Sequence, residues 1–268
     1  METWLVIVLA LVQALTEFLP VSSSGHLGLA GFFLGLPYQG LTFDLALHLG
    51  TLLAVVAYFW KDLWRLARAV LAIRSLRELD TMQRLGVGIA LSTIPAAIVG
   101  GGMPDAFTES LRTPVLIAVN LIVFGVLLGL ADRHGGGQRG ESAITLRDAL
   151  TIGAAQALAL IPGTSRSGIT MTAGLALGLD RATAARYSFL MSVPITALAV
   201  GHGGLQLVQS TERLDLGVLA LGVAVSGLAG IVVIHVFLRI LRQVGTLPFV
   251  AYRIALGVLV LGLVAFRN

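Results

Sequence analysis

Two stretches of this chain begin as membrane-spanning helices and break part-way, and these breaks limit the accessible folds more than any other feature. Residues 4–19 are apolar and run into Pro20-Val21-Ser22-Ser23-Ser24-Gly25-His26, after which apolar sequence resumes from Leu27 to Leu36. Residues 149–161 run into Pro162-Gly163-Thr164-Ser165-Arg166-Ser167-Gly168, with apolar sequence again from Ile169 to Leu179. Proline removes a backbone donor and clashes with the preceding turn, so each break opens the helix. Limbs of about 10 to 16 residues, at 1.5 Å per residue, reach only part of the way across a hydrocarbon core of about 30 Å. The pattern predicts two re-entrant hairpins.

The rest of the chain suits a lipid environment. Charged residues make up 12% of the 268 and hydrophobic residues 56%, with a mean hydropathy of +0.91. A soluble domain carries about 25% charged residues, so this chain has too little polar surface to coat a water-soluble globule. It lacks the long charge runs that a disordered or nucleic-acid-coating chain needs, and no nucleic-acid partner is expected. The 32 glycines suit close helix packing in lipid. With no cysteine, disulfides, thiolate metal sites and a cysteine nucleophile are excluded. The start, Met1-Glu2-Thr3-Trp4, has no positive n-region or small-residue cleavage site, so it reads as mature fold and not as a removable signal.

Six further stretches are long and apolar enough to cross: 44–60, 85–102, 114–131, 188–208, 217–238 and 248–266. Positive residues favour the cytoplasmic side, which puts the loop 61–84, with Lys61 and five arginines, inside. With 149–179 re-entrant, 13 of the 18 Lys and Arg residues fall inside and 3 outside (Arg112, Arg213, Arg267), leaving Arg166 and Arg253 within the membrane. A full crossing at 149–179 would move Arg181, Arg186, Arg239 and Arg242 outside, against the charge rule. The segment 61–84 reads as an interfacial helix held by anionic membrane lipid, and Gly135-Gly136-Gly137 as a flexible loop.

Counting back from residue 61 puts Asp44 at the outer surface. The first hairpin therefore enters from outside, the second from the cytoplasm, and the breaks meet near mid-membrane. Gln13-Ala14-Leu15 matches Gln156-Ala157-Leu158, and at the same offset of 143 Ser22, Ser24 and Gly25 match Ser165, Ser167 and Gly168. The expected architecture is an all-α polytopic membrane protein, a single domain over 1–268. It has six transmembrane helices plus two re-entrant helical hairpins in an inverted-topology repeat, with halves about 1–113 and 114–268. Broken helices in such a repeat place an anion site at the repeat interface.

The first break supplies Glu17, three serines and His26, while the second supplies Thr164, Ser165, Arg166, Ser167 and Thr170. An ionisable group within a span costs about 2.5–3.5 kcal/mol on insertion scales, so Glu17 and Arg166 need a partner or water. A planar guanidinium with backbone N–H groups at opened helix ends suits a phosphate. Serine hydroxyls and a histidine supply nucleophile or proton transfer, and a carboxylate can orient the histidine or hold a divalent cation. Ser22, Ser24 and Ser167 equally suit helix capping. Asp44 and His48, one turn apart near the outer surface, read as a solvated face; His134, His202 and His235 read as loop or packing residues.

The segments Gln13-Ala-Leu-Thr-Glu17-Phe-Leu-Pro-Val-Ser-Ser-Ser-Gly-His26 and Pro162-Gly-Thr-Ser-Arg-Ser-Gly-Ile-Thr170 resemble the two signature motifs of the bacterial undecaprenyl pyrophosphate phosphatase family, also called the bacitracin-resistance family. Phe43-Asp-Leu-Ala-Leu-His-Leu-Gly-Thr51 and the overall length extend the likeness over essentially the whole chain. The resemblance implies removal of the terminal phosphate from a C55 isoprenyl pyrophosphate in the bacterial inner membrane, at a site open to the external side, recycling the carrier for peptidoglycan synthesis. Carried over residue by residue, it implies Glu17, Ser23, His26 and Arg166 as the catalytic core, with Gln13, Ser22, Ser24, Thr164, Ser165, Ser167 and Thr170 binding substrate. Arg166 would clamp the pyrophosphate, His26 with Ser23 would attack or activate the attacking oxygen, and Glu17 would orient them or hold a cation. The nucleophile stays open between Ser23, His26 and metal-bound water. The family's (Glu/Gln)-x-x-x-Glu pattern is filled here by Gln13 and Glu17, one carboxylate fewer for the associated Mg²⁺ or Ca²⁺, which would lean on Glu17 and the substrate phosphates. The implied partners are the polyprenyl pyrophosphate lipid and membrane lipids, with room for a homodimer.

Two other classes use the same architecture. A secondary transporter or lipid flippase for an anionic substrate is the alternative, since inverted repeats with broken helices are carrier architecture; a carrier has no use for His26 and adjacent hydroxyls. A non-catalytic scaffold leaves Glu17 and Arg166 without a purpose.

Overall fold

A computed structural model describes residues 2–35, 39–104, 110–209 and 215–267; the loop arginine Arg213 lies outside the described residues. Among the described residues there are eleven α-helices and no strand. In chain order they are α1 (Thr3–Phe18), α2 (Ser23–Leu34), α3 (Leu41–Tyr58), α4 (Trp60–Leu71), α5 (Thr81–Gly102), α6 (Pro114–His134), α7 (Leu146–Ala157), α8 (Arg166–Ala176), α9 (Arg181–Gln209), α10 (Leu216–Val244) and α11 (Leu247–Arg267).

Six of these, α3, α5, α6, α9, α10 and α11, are long and apolar enough to cross a membrane and correspond to the six stretches expected, although α3 ends at Tyr58, two residues before the end expected for the first. Several run past the apolar window, because hydropathy falls where charge begins although the helix continues. The start of α9 shows why. Arg181 donates to both oxygens of Asp132, at 2.6 and 3.1 Å, and Arg186 pairs with Asp62 and Glu141, each at 2.8 Å. With Arg139 on Asp148 at 2.7 Å, these pairs tie together the end of the bundle that carries the 59–80 and 135–145 connections.

The two broken stretches form short helix pairs, α1 with α2 and α7 with α8, of 16, 12, 12 and 11 residues. At 1.5 Å per residue even α1 is only about 24 Å long. Each pair packs limb against limb, while α1 also packs along α10 and α7 along α5, so each first limb is covered by a long span distant in sequence. The second limbs start alike. Ser22 and Ser165 cap α2 and α8 by accepting from the N–H of Gly25 (3.2 Å) and Gly168 (3.1 Å). Their φ values, 77° and 75°, are the only positive ones at non-glycine positions among the described residues. The capping bond offsets part of a strain of order 1–3 kcal/mol, and the offset of 143 read from sequence has become a shared backbone geometry.

Phe18, at the end of α1, packs edge-on against Phe189 of α9 at 5.6 Å in the main apolar core, which also holds Leu128, Met171 and Phe237. Within the segment 61–84 one helix ends at Leu71 and the next begins at Thr81: Trp60 and Trp64 of α4 are exposed and Leu66 is buried, while Asp80 caps α5 in a capping box with Gln83. The glycine run is packed tightly. A Cβ on Gly137 would fall 2.3 Å from the Gly178 carbonyl oxygen, so these glycines allow backbone contact and do not serve as a flexible linker.

Candidate active site

Glu17, near the end of α1, is 8% exposed and collects donors from both breaks. Its Oε1 accepts from Arg166 Nη2 at 2.7 Å. Its Oε2 accepts from the Ser23 hydroxyl at 2.7 Å and from Gln13 Nε2 at 3.2 Å. The local folding explains the approach: Gln13 lies one helical turn before Glu17, Ser23 is the first residue of α2, and Arg166 is the first residue of α8. Helix breakage thus presents a hydroxyl, a carboxylate and a guanidinium where an unbroken helix would bury apolar side chains.

Arg166 is anchored on its other side by the Ser188 carbonyl at 3.0 Å. Thr170 accompanies it, donating to the Arg166 carbonyl at 2.8 Å and lying 2.8 Å from the Ser188 hydroxyl. Ser167 crosses between the breaks, donating to the Leu19 carbonyl at 2.9 Å. Ser22 and Ser165 are the caps already described, and Thr164 is fully buried with its hydroxyl unpartnered. Glu17, Ser23, Ser24, Ser165 and Arg166 line a cavity of about 270 Å³.

His26 does not line that cavity. Its Nδ1 lies 2.7 Å from the Ser22 carbonyl, an acceptor only, so Nδ1 carries the hydrogen, and Nε2 is hydrogen-bonded to the Tyr252 hydroxyl at 2.7 Å. The two rings are stacked, 5.6 Å apart and 7° from parallel. His26 is pinned between the first break and α11.

Another histidine occupies the place expected for it. His48 Nδ1 lies 2.7 Å from the Asp44 carbonyl, which turns Nε2 toward Glu17 Oε2 at 3.6 Å. Asp44 and His48 both line the cavity, with Arg112 3.5 Å from Asp44, so the reading of these two as a solvated face is corrected. The i, i+4 spacing identified a shared face, and only the fold shows that this face looks onto Glu17. Gln156, the repeat equivalent of Gln13, also lines the cavity. The remaining lining is mostly apolar and includes Leu27, Leu41, Leu45, Leu160 and Ile195.

An anion-binding guanidinium, a hydroxyl polarised by a carboxylate and apolar walls suit a phosphorylated lipid. Residues 6–259 match the family model described as bacitracin resistance protein BacA. The chain belongs to this family. It is 49% identical to the undecaprenyl-diphosphatase of Nitrosococcus oceani over 254 residues, 95% of this chain and 96% of that one. The undecaprenyl-diphosphatase of Teredinibacter turnerae shows the same identity and coverage, and the undecaprenyl-diphosphatase 2 of Stutzerimonas stutzeri is 49% identical over 259 residues, 96% of each chain. Within this member of the BacA family, no three His, Asp or Glu side chains gather into a metal cage among the described residues. One observation does fit an oxygen-seeking cation: Gln13 Oε1 is buried beside Glu17 without a hydrogen-bond partner.

Proposed function

We propose that this chain is an integral membrane phosphatase that hydrolyses undecaprenyl diphosphate to undecaprenyl phosphate and inorganic phosphate, recycling the lipid carrier and so conferring bacitracin resistance. One observation carries the reading: the first break's carboxylate and hydroxyl and the second break's guanidinium converge within 2.7 Å contacts at a cavity that also has a set of apolar lining residues, among them Leu27, Leu41, Leu45, Leu160 and Ile195. The diphosphate belongs at the Arg166 end and the isoprenyl chain along the apolar walls. Arg166 uses two of its five N–H groups on Glu17 and Ser188, leaving three for phosphate oxygens.

In this reading Ser23 Oγ attacks the terminal phosphorus. Its proton passes to Glu17, the bond from phosphorus to the bridging oxygen breaks, and undecaprenyl phosphate leaves. Water then hydrolyses the phosphoserine. Ser23 is favoured over His26 as the attacking group because Ser23 touches Glu17 in the cavity, whereas His26 Nε2 is held by Tyr252. A divalent cation, Mg²⁺ or Ca²⁺, would be held by Glu17 and Gln13 Oε1 and would neutralise phosphate charge. The expected location is the bacterial inner membrane, and the distribution of arginines supports an orientation with the cavity open to the external side.

Purified protein in detergent, given the C55 diphosphate, should release inorganic phosphate. Substrate binding or transbilayer movement without phosphate release would replace the phosphatase by the carrier alternative.

A further inference from the structure

The last span, α11, carries a charge at its buried face. Arg253 is fully buried, and its three guanidinium nitrogens donate to five backbone carbonyls. Nη1 reaches Pro20 at 2.9 Å, Nη2 reaches Gly163 and Thr164 at 2.9 Å each and Asn120 at 3.3 Å, and Nε reaches Leu121 at 3.2 Å. Pro20 and Gly163 stand at the repeat offset of 143, so one side chain takes equivalent carbonyls from the two breaks. These carbonyls lie just before the capping serines, where the broken helices leave acceptors without helical donors. Brought together without a donor, their dipoles would repel in a site that excludes water. The slot is shaped for the guanidinium: a Cβ on Gly168 would lie 2.8 Å from Nη1.

We propose that Arg253 is a positioning residue for the reaction: it locks the two breaks in register, and that register brings Arg166 onto Glu17. The inference rests on the reading that Glu17 and Arg166 bind the diphosphate. A planar fork with five donors can serve three chain segments at once, and an ammonium group on a flexible stem cannot.

The test uses the cysteine-free background. Leu15 and Leu158 are repeat equivalents on the two hairpins, are exposed, and lie outside the cavity lining. Spin labels on Leu15→Cys and Leu158→Cys report the distance between hairpins by double electron–electron resonance in lipid nanodiscs. With Arg253 present the distribution should be narrow. In Arg253→Lys and Arg253→Met it should broaden, and kcat should fall by about 10- to 100-fold, the range expected when a reacting group is misplaced by an ångström. Gly168→Ala, which crowds both Nη1 and the Ser165 cap, should broaden it as well, and Arg253→Lys decides the matter if Arg253→Met fails to accumulate. An unchanged distribution in Arg253→Lys overturns the proposal whatever happens to turnover. A broadened distribution with unchanged turnover overturns the link to the site. If instead Glu17→Ala stays active with intact distances, the reading of the site fails and the lock survives.

Discussion

Arg166 Nη2 lies 2.7 Å from Glu17 Oε1, pairing side chains 149 positions apart in the chain. Both are largely buried, with side chains 15% and 9% exposed. Each therefore answers the other's desolvation, and removing one partner of such a pair typically costs about 3–5 kcal/mol. Substitutions here must be read against that structural loss as well as any chemical one.

Arg166→Lys separates geometry from charge. Lysine keeps the charge and can still face Glu17, but it cannot reach Glu17 and the Ser188 carbonyl while offering parallel donors to a phosphate. Phosphate release should fall about 10²- to 10³-fold, as for loss of a transition-state donor, with insertion unchanged. Near-normal turnover would reduce Arg166 to a counter-ion.

The cation dependence should follow Gln13 and Glu17 together. Glu17→Gln should lower turnover and weaken the response to added Mg²⁺ or Ca²⁺, whereas Gln13→Glu places a second carboxylate beside the first and should lower the Mg²⁺ concentration needed for half-maximal activity. Identical Mg²⁺ titrations for all three proteins would remove both residues from the cation site.

Tyr252→Phe tests what His26 does. Loss of one hydrogen bond costs about 0.5–1.5 kcal/mol, so a pin between Ser22 and Tyr252 should loosen, with turnover falling a few-fold and thermal stability dropping modestly. His26→Ala removes both anchors and should be the more severe. Higher turnover in Tyr252→Phe would instead mean that freeing Nε2 exposes a working base or nucleophile.

Accessibility should differ within the cavity. Ser24 is exposed and Ser165 is 4% exposed, though both line it. Under the proposed orientation, Ser24→Cys should react quickly with a membrane-impermeant maleimide added outside intact cells, and Ser165→Cys more slowly through the same opening. Reaction of both only after the cytoplasmic side is exposed would reverse the orientation.

Much of the frame was legible in the residue order. Apolar runs long enough to cross set the six spans, because a hydrocarbon core constrains length and composition more tightly than any packing detail. Proline with glycine and serine located both breaks, and Ser22 and Ser165 show that the repeat offset reaches down to backbone dihedrals. The cost of an isolated charge in a span also marked Glu17 and Arg166 as needing partners.

What the order of residues could not determine was direction. A histidine beside a serine-rich break looks like the site's imidazole, yet His26 turns to Tyr252 while His48, from another helix, faces Glu17 at 3.6 Å. Helical spacing says which residues share a face, and only packing of α3 against its neighbours says what that face meets. Arg253 was harder still. Its partners are backbone carbonyls, which every residue carries, so no residue type elsewhere in the chain announces them. Three segments distant in sequence had to be folded against α11 before one guanidinium could satisfy them all.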